Sequence, residues 1–155
     1  MLYFFILQIR NMCYGQEQKE IEKKMPYDRR IKINNYRNDT DKLLSLYSAA
    51  LTYMCISEIT GINIKQLNIV LGKYGKPFLL NRNVHFNYSH SRSVVCCAIS
   101  MDNPVGVDIE YLSTLPRNIM ERVLHKKEIE YINNTKGESK AKSFYEIWTK
   151  KELPV

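Results

Sequence analysis

A long stretch with helical apolar spacing, set before a series of short apolar runs, most restricts the fold of this chain. Asp39 or Asp41 would cap the start of this helix, and Gly61 would end it after about Thr60. The apolar residues that recur at helical spacing are Leu43, Leu46, Ala50, Met54 and Ile59. We therefore expect a central helix packed in the core.

Short runs rich in aromatic and branched residues predict strands on both sides of this helix. The first is Leu2–Ile9, which is too short to span a bilayer and is expected to be a buried strand. Three more follow the helix, at His85–Ser89, Val94–Ser100 and Val105–Tyr111, with hairpin turns expected at Ser91-Arg92 and Asp102-Asn103. No segment is read as a membrane span.

Further helices are expected near both ends of the chain. Residues 16–25 are helix-prone, and Pro26 would open another helical turn. The later candidates are Arg117–Leu124, Lys127–Ile132 and Ser139–Glu152, the last ended by Pro154. Strands flanked by helices predict an α+β fold, with a small antiparallel sheet against a long packed helix.

Charge and cysteine content restrict the class of protein. The net charge of +7 favours anionic partners, but basic and acidic residues are interleaved, so a dedicated nucleic-acid surface is the minority interpretation. None of the four cysteines has the spacing of a zinc site. Buried reduced thiols at Cys96 and Cys97 would fit a cytoplasmic protein.

The segment Gly106-Val107-Asp108-Ile109-Glu110 carries two carboxylates at alternate positions. On a strand, Asp108 and Glu110 project from the same face. Two adjacent carboxylates need a counter-charge, and a hard divalent cation such as Mg²⁺ supplies one. The alternative is an amphipathic strand whose acidic face lies in water.

Two earlier segments are suited to contacts with phosphate. Phe86-Asn87-Tyr88-Ser89-His90-Ser91 offers hydroxyl and imidazole donors, whereas its neighbouring Ser89 and His90 point apart and suit a hydrolase poorly. Tyr74-Gly75-Lys76-Pro77-Phe78 combines a flexible Gly, a Lys charge and a stiff Pro, without the further glycines of a nucleotide P-loop. Each segment also reads as an ordinary turn.

A fourth segment, Phe144 to Glu152, lies on the last predicted helix. Trp148 is one turn before Glu152 and would fix the pose of its carboxylate. The alternative is a surface Glu on a helix packed by the only Trp of the chain.

Together the four segments, in this order and spacing, resemble the phosphopantetheinyl transferase family, in its larger two-lobed branch that activates synthetase carrier domains. The resemblance spans roughly residues 26–152. It implies one lobe of the two-lobed fold plus linker helices, with an N-terminal lobe at 1–104 and the start of the second lobe, a metal-binding strand and helices, at 105–155.

The resemblance also implies a reaction. A serine of an acyl- or peptidyl-carrier protein would attack the phosphorus that bears the pantetheine arm of coenzyme A, and adenosine bisphosphate would leave as the P–O bond of the pyrophosphate breaks. Mg²⁺ would offset the charge on the two phosphates. The implied Mg²⁺ ligands are Asp108, Glu110 and Glu152, and the implied catalytic residues are Glu152, Asp108 and Lys151. The implied contacts to coenzyme A are Tyr74, Gly75, Lys76, Pro77, Phe78, Leu79, Ser89, His90, Ser91 and Arg92.

The chain departs from the family pattern at several positions. Leu44 stands where the family has an Arg for the 3′-phosphate of coenzyme A, and Arg92 stands where Gly is common. We expect Arg29, Arg30 and Lys32 to compensate for the missing Arg, with ordinary surface charge as the alternative. Pro154 would break the helix that in the family continues to a phosphate-binding Lys. We therefore expect a chain truncated before its second lobe, which would self-associate through an exposed apolar face. The alternatives are an inactive coenzyme-A-binding fragment and a basic nucleic-acid-binding module.

Overall fold

The fold is α+β, with one three-stranded sheet, one two-stranded ribbon and six helices among the described residues. A computed structural model describes residues 1–10, 13–73, 75–137 and 139–152. The strands are β1 Leu2–Gln8, β2 Ile69–Leu71, β3 Pro77–Leu79, β4 His85–Ser91 and β5 Val94–Ser100. The helices are α1 Gln16–Lys23, α2 Tyr27–Asn34, α3 Asp39–Thr60, α4 Arg117–Val123, α5 Lys126–Asn134 and α6 Ser139–Glu152.

The main sheet is antiparallel, in the order β1-β5-β4. β5 is the central strand, and its register places Ile99 opposite Phe86 on β4 and opposite Tyr3 on β1. β2 and β3 form the separate ribbon. Since side chains alternate between the faces of a sheet, this register puts Tyr3, Phe86 and Ile99 on the same face.

The core lies between that face and α3. Asn38 caps α3 by accepting a hydrogen bond from the amide of Asp41 at 2.7 Å, and Gly61 ends it with a φ of +69°. The core residues of α3 that meet the sheet include Leu46, Ala49, Ala50, Tyr53 and Ile56. Met54, which we expected in the core, is 60% exposed.

α3 is also the one described helix long and apolar enough to cross a membrane. Its most apolar 18-residue window has a mean hydropathy of 1.2, and 61% of that window is buried inside the structure. That degree of burial is typical of a core helix.

β1 is only half-buried, which corrects the expectation of a buried first strand. Tyr3 and Phe5 pack on the core, whereas Leu2, Phe4 and Ile6 are 65%, 56% and 60% exposed. The cause is the alternation of the strand: one face meets α3, and the other belongs to a sheet face that nothing covers at β1 among the described residues.

Residues 105–111 do not form a strand, contrary to the expectation for Val105–Tyr111 and for a metal-binding strand. They are extended, but they make no backbone ladder with β4. Beyond them, α4, α5 and α6 pack on one another around a second apolar cluster of Met120, Leu124, Ile132 and Phe144.

Candidate functional site

Residues 105–111 are attached to β4 through side chains. The amide of Val107 donates to Asn87 Oδ1 at 3.0 Å, and the amides of Ile109 and Tyr111 donate to Ser89 Oγ at 3.4 Å and Ser91 Oγ at 3.1 Å. Asn87, Ser89 and Ser91 share one face of β4, the face turned away from α3. We call these three bonds the side-chain ladder.

The side-chain ladder brings both predicted carboxylates to β4. Ser89 Oγ donates to Asp108 Oδ1 at 2.8 Å, and Ser91 Oγ makes a longer contact of 3.5 Å with Glu110 Oε2. Asp108 Oδ2 is buried and has no hydrogen-bond partner among the described residues. Burying a carboxylate oxygen without a partner costs free energy, and binding a hard cation would offset that cost. The unpartnered oxygen of Asp108 is therefore the kind of donor that suits Mg²⁺.

Arg92 occupies the two-residue turn between β4 and β5. Its φ is +53°, a left-handed conformation that favours Gly. Its guanidinium carbon lies 3.3 Å from the centre of the Tyr111 ring. Arg92, which stays a predicted contact to coenzyme A, contacts the last residue of the side-chain ladder.

A cleft opens on the other side of β4, between α2, α3 and the β2–β3 ribbon. Arg29 lies in it, where it donates to the backbone oxygen of Ser45 at 2.8 Å and lies 5.8 Å from the centre of the Tyr88 ring. Arg29 Nε is buried without a partner among the described residues. The other lining residues include Asp28, Lys32, Tyr53, Leu67, Pro77 and Phe86. This combination of a buried cationic donor with apolar and aromatic walls suits an anionic, partly apolar ligand.

The glycine-lysine-proline segment lies at the edge of this cleft. Gly75 has a φ of +77°, and Lys76 Nζ donates to the backbone oxygen of Val105 at 3.4 Å. Pro77 begins β3 and lines the cleft, Leu79 is buried in the core, and Phe78 is 43% exposed. Tyr74 lies outside the described residues.

His90 points away from its serine neighbours. It alternates with Ser89 and Ser91 on β4, so it shares the face of Tyr88. Burial lowers the pKa of His90. Near neutral pH a smaller fraction of this imidazole is charged than of a free one.

Leu44 lies in the core, at the position where the family pattern has an Arg. It is 5% exposed and packs with Ile9 and Val95. This environment has no room for a charge, because an ion in an apolar cluster pays a large desolvation cost.

The end of α6 faces α5. Lys151 Nζ lies 3.0 Å from Glu128 Oε2, and the same Glu128 oxygen accepts a hydrogen bond from the amide of His125 at 2.7 Å. Glu128 therefore caps the start of α5 and holds the last turn of α6. Trp148 stacks on Phe144, with ring centres 6.1 Å apart.

The structure does not bring the three predicted metal ligands together. Among the described residues, no group of three or more His, Cys, Asp or Glu side chains could hold a metal ion. Asp108 and Glu110 both lie along β4, whereas Glu152 is exposed at the end of α6. The helix break predicted at Pro154 lies outside the described residues.

Two protein-family models together match most of the chain. A model described as the N-terminal domain of 4′-phosphopantetheinyl transferases matches residues 15–102, which is more than half of the chain. The chain belongs to the phosphopantetheinyl transferase family. A model of the 4′-phosphopantetheinyl transferase superfamily matches residues 104–152, which include the acidic segment 107–111 and α6.

Individual family members are similar over most of the chain. The 4′-phosphopantetheinyl transferase gsp of Aneurinibacillus migulanus is 39% identical over 119 residues, covering 76% of this chain and 48% of its own length. The enzyme ffp of Bacillus subtilis is 30% identical over 139 residues, covering 87% and 62%. The enzyme psf-1 of Bacillus pumilus is 27% identical over 152 residues, covering 96% and 65%. The chain thus spans about half to two thirds of the length of these family members.

Sequence reasoning missed one functional candidate and left another open. Arg29 was one of three basic residues expected either to replace the missing Arg or to be ordinary surface charge, because nothing in its charged neighbourhood shows that it lies over Tyr88 with its Nε buried. Asn87 read as part of a phosphate-contacting run. The alternation of Asn87, Ser89 and Ser91, which matches that of Val107, Ile109 and Tyr111, was the signal that could have identified the side-chain ladder.

Proposed function

We propose that this chain binds coenzyme A with Mg²⁺ and transfers the phosphopantetheine arm to a serine of an acyl- or peptidyl-carrier protein. The observation that carries the proposal is the buried, unpartnered Oδ2 of Asp108, held in place by Ser89 within a member of this family. Since the similar members of this family are named as transferases, the geometry at Asp108 is best explained as half of a metal–pyrophosphate site.

The acidic side of the site would hold the metal. Asp108 is the principal ligand, and Glu110, whose contact with Ser91 is long at 3.5 Å, can turn toward the same ion. Mg²⁺, when bound, would offset the negative charge of the pyrophosphate. Ser89 fixes the direction of the Asp108 carboxylate, because its hydroxyl donates to Oδ1 and leaves Oδ2 for the ion.

The cleft on the other face of β4 would hold the nucleotide end of coenzyme A. Arg29 Nε offers a buried charged donor, and Lys32 adds a second positive charge at the lining. Phe86, Tyr88 and Pro77 form apolar walls suited to an adenine ring. Lys76 lies between this cleft and residue 105, where the acidic segment begins.

A second candidate, binding without transfer, is supported by the end of α6. Lys151, the implied phosphate contact, is paired with Glu128, and Glu152 does not join Asp108 and Glu110. In a transferring enzyme Glu152 would accept the serine proton. Without its approach the chain would bind coenzyme A and Mg²⁺ but leave the carrier serine protonated.

The test combines binding with transfer. The chain is mixed with coenzyme A, Mg²⁺ and a carrier protein, and the mass of the carrier protein is followed, while thermal unfolding reports binding. We expect coenzyme A to raise the unfolding temperature only with Mg²⁺, and the carrier protein to gain the mass of one phosphopantetheine arm. Asp108→Asn should lose both effects, because the amide keeps the shape but not the charge.

Asp102→Asn is the matched control, since Asp102 pairs with the amino terminus rather than with the ladder. Mg²⁺-dependent stabilisation without a mass gain would support the binding-only candidate. Stabilisation of Asp108→Asn equal to that of the parent would show that the metal assignment is wrong. Salt-sensitive binding to random DNA, with no response to coenzyme A, would instead favour the nucleic-acid alternative.

The compartment and the carrier are proposals as well. The buried thiols of Cys55, Cys96 and Cys97 suit a reducing compartment, which supports the cytoplasm. The net charge of +7 would attract both the anionic cofactor and an acidic carrier protein.

A further inference from the structure

Arg92 adopts a backbone conformation that costs free energy. Its φ of +53° is one of two positive values at non-glycine residues in the described structure. In a two-residue hairpin turn Gly or Asn meets this requirement more easily. The side chain at this position therefore has to contribute something that Gly cannot.

The guanidinium of Arg92 makes one close contact with the acidic segment. Its central carbon lies 3.3 Å from the centre of the Tyr111 ring, well within the range of a cation–π interaction. Both side chains are exposed, and Tyr111 is 48% exposed, so the stack is not a by-product of core packing.

Tyr111 is the final rung of the side-chain ladder. Its amide donates to Ser91 Oγ at 3.1 Å, whereas the rung before it, from Ile109 to Ser89 Oγ, is longer at 3.4 Å. A backbone ladder does not support this segment, so each rung depends on one hydroxyl or amide side chain. An added contact at its end therefore has a direct effect on how firmly Asp108 and Glu110 are held.

We propose that Arg92 is a positioning residue: by stacking on Tyr111, it holds residues 107–111 against β4 and presents Asp108 and Glu110 to the metal ion. The metal part of this inference rests on the proposed function. The holding part rests only on the contacts of Arg92, Tyr111 and the serines of β4.

Amide hydrogen exchange by NMR measures the holding directly. In Arg92→Gly, the amides of Ile109 and Tyr111 should exchange about two- to fivefold faster, the factor expected from an exposed cation–π contact. The unfolding temperature should stay close to that of the parent, because relief of the turn strain offsets the added flexibility of Gly. If Arg92 only stabilised the fold as a whole, the unfolding temperature would instead fall as the amide exchange rates rise.

Substitutions at Tyr111 provide the matched pair. Tyr111→Phe keeps an aromatic face, so its amides at positions 109 and 111 should exchange at the parental rate. Tyr111→Leu keeps an apolar side chain without that face, so the same amides should exchange as fast as in Arg92→Gly. Parental exchange in Arg92→Gly, or equal exchange in Tyr111→Phe and Tyr111→Leu, would overturn the proposal.

Calorimetric titration with Mg²⁺ alone tests the metal part. We expect Arg92→Gly to bind Mg²⁺ about two- to fivefold more weakly than the parent, in step with the loss of the contact. Faster exchange with unchanged Mg²⁺ affinity would refute the positioning role. A parent chain that binds no Mg²⁺ would refute the proposed function, while the exchange rates still decide whether Arg92 holds the segment.

Discussion

At the scale of single residues, each serine that meets the acidic segment acts in two directions. The Ser89 hydroxyl donates to Asp108 and accepts from the amide of Ile109. The Ser89 hydroxyl, which the sequence predicted to contact phosphate, thus already makes two hydrogen bonds within the protein. Its contribution is to leave a single carboxylate oxygen, Oδ2 of Asp108, without a partner.

Cys97 makes stability depend on alkaline pH. Burial raises the pKa of its thiol from 9.0 to about 12, because the thiolate is poorly solvated in the core. The unfolded chain loses this proton near pH 9 and the folded chain does not, so the stabilisation is complete below pH 9 and declines as pH rises toward 12. We expect a loss of up to about 1.4 kcal/mol per pH unit from this thiol.

Chemical denaturation between pH 8 and pH 11 checks this dependence. Cys97→Ala will be less stable at every pH because it leaves a cavity. Its stability should nevertheless fall less steeply with pH than that of the parent. Parallel slopes for the two proteins would contradict the assignment.

The sequence singled out Asp108 and Glu110 as candidate site residues, but it did not predict the contacts of the site. Asp108 and Glu110 stood out because alternate carboxylates need a counter-charge. The burial of Arg29 and the pairing of Lys151 with Glu128 depend on elements that are distant in sequence. No local pattern around these residues records which partner the fold brings to them.

At the scale of elements, α5 and α6 share an apolar cluster and are further linked by one carboxylate. Glu128 accepts from the amide of His125 and pairs with Lys151, whose side chain is 30% exposed. The hydrogen bond from the His125 amide also lowers the pKa of Glu128, so the Glu128 carboxylate stays charged in mildly acid solution. This pair sets the distance between the start of α5 and the last turn of α6.

Glu128→Gln separates these two roles. The amide oxygen of Gln can still cap α5, but the charge that holds Lys151 is lost, so we expect a destabilisation of about 0.5–1 kcal/mol that shrinks in high salt. Thermal unfolding at low and high salt provides the measurement. Glu146→Gln, which removes the more exposed 3.8 Å pair with Lys142, is the control and should change stability less. Equal effects would mean that Glu128 forms only a surface ion pair.

The helices were easier to predict than the last extended segment. Gly61 correctly indicated the end of α3, whereas its N-cap is Asn38 rather than the predicted Asp39 or Asp41, and α6 has the predicted bounds Ser139–Glu152. The alternation in residues 105–111 also exists, but it serves side-chain hydrogen bonds. Sequence alternation reports which faces differ, not whether backbone or side chains make the bonds.

At the scale of the whole molecule, one sheet face is open at β1. This strand lies at the edge of the sheet, carries no charged residue, and exposes Leu2, Phe4 and Ile6 on one side. Uncharged edge strands with exposed apolar side chains promote pairing between chains. The chain is therefore expected to associate as its concentration rises.

Sedimentation velocity over a range of concentrations tests this association. Ile6→Lys should shift the chain toward the monomer, because a charge on the strand must be desolvated when two copies meet. Met54→Lys is the matched control, since Met54 is exposed to the same extent, 60%, but lies on α3. Monomeric behaviour of the parent, or an equal shift in both variants, would show that β1 is not the contact.

The side-chain ladder gives the acidic segment a property that paired strands lack. Backbone bonds are the same for every sequence, so point substitution hardly changes their number. Here the rungs are the side chains of Asn87, Ser89 and Ser91, and each can be lost or restored by a single codon change. Single substitutions can therefore strengthen or weaken the positioning of Asp108 and Glu110 without altering the path of the main chain.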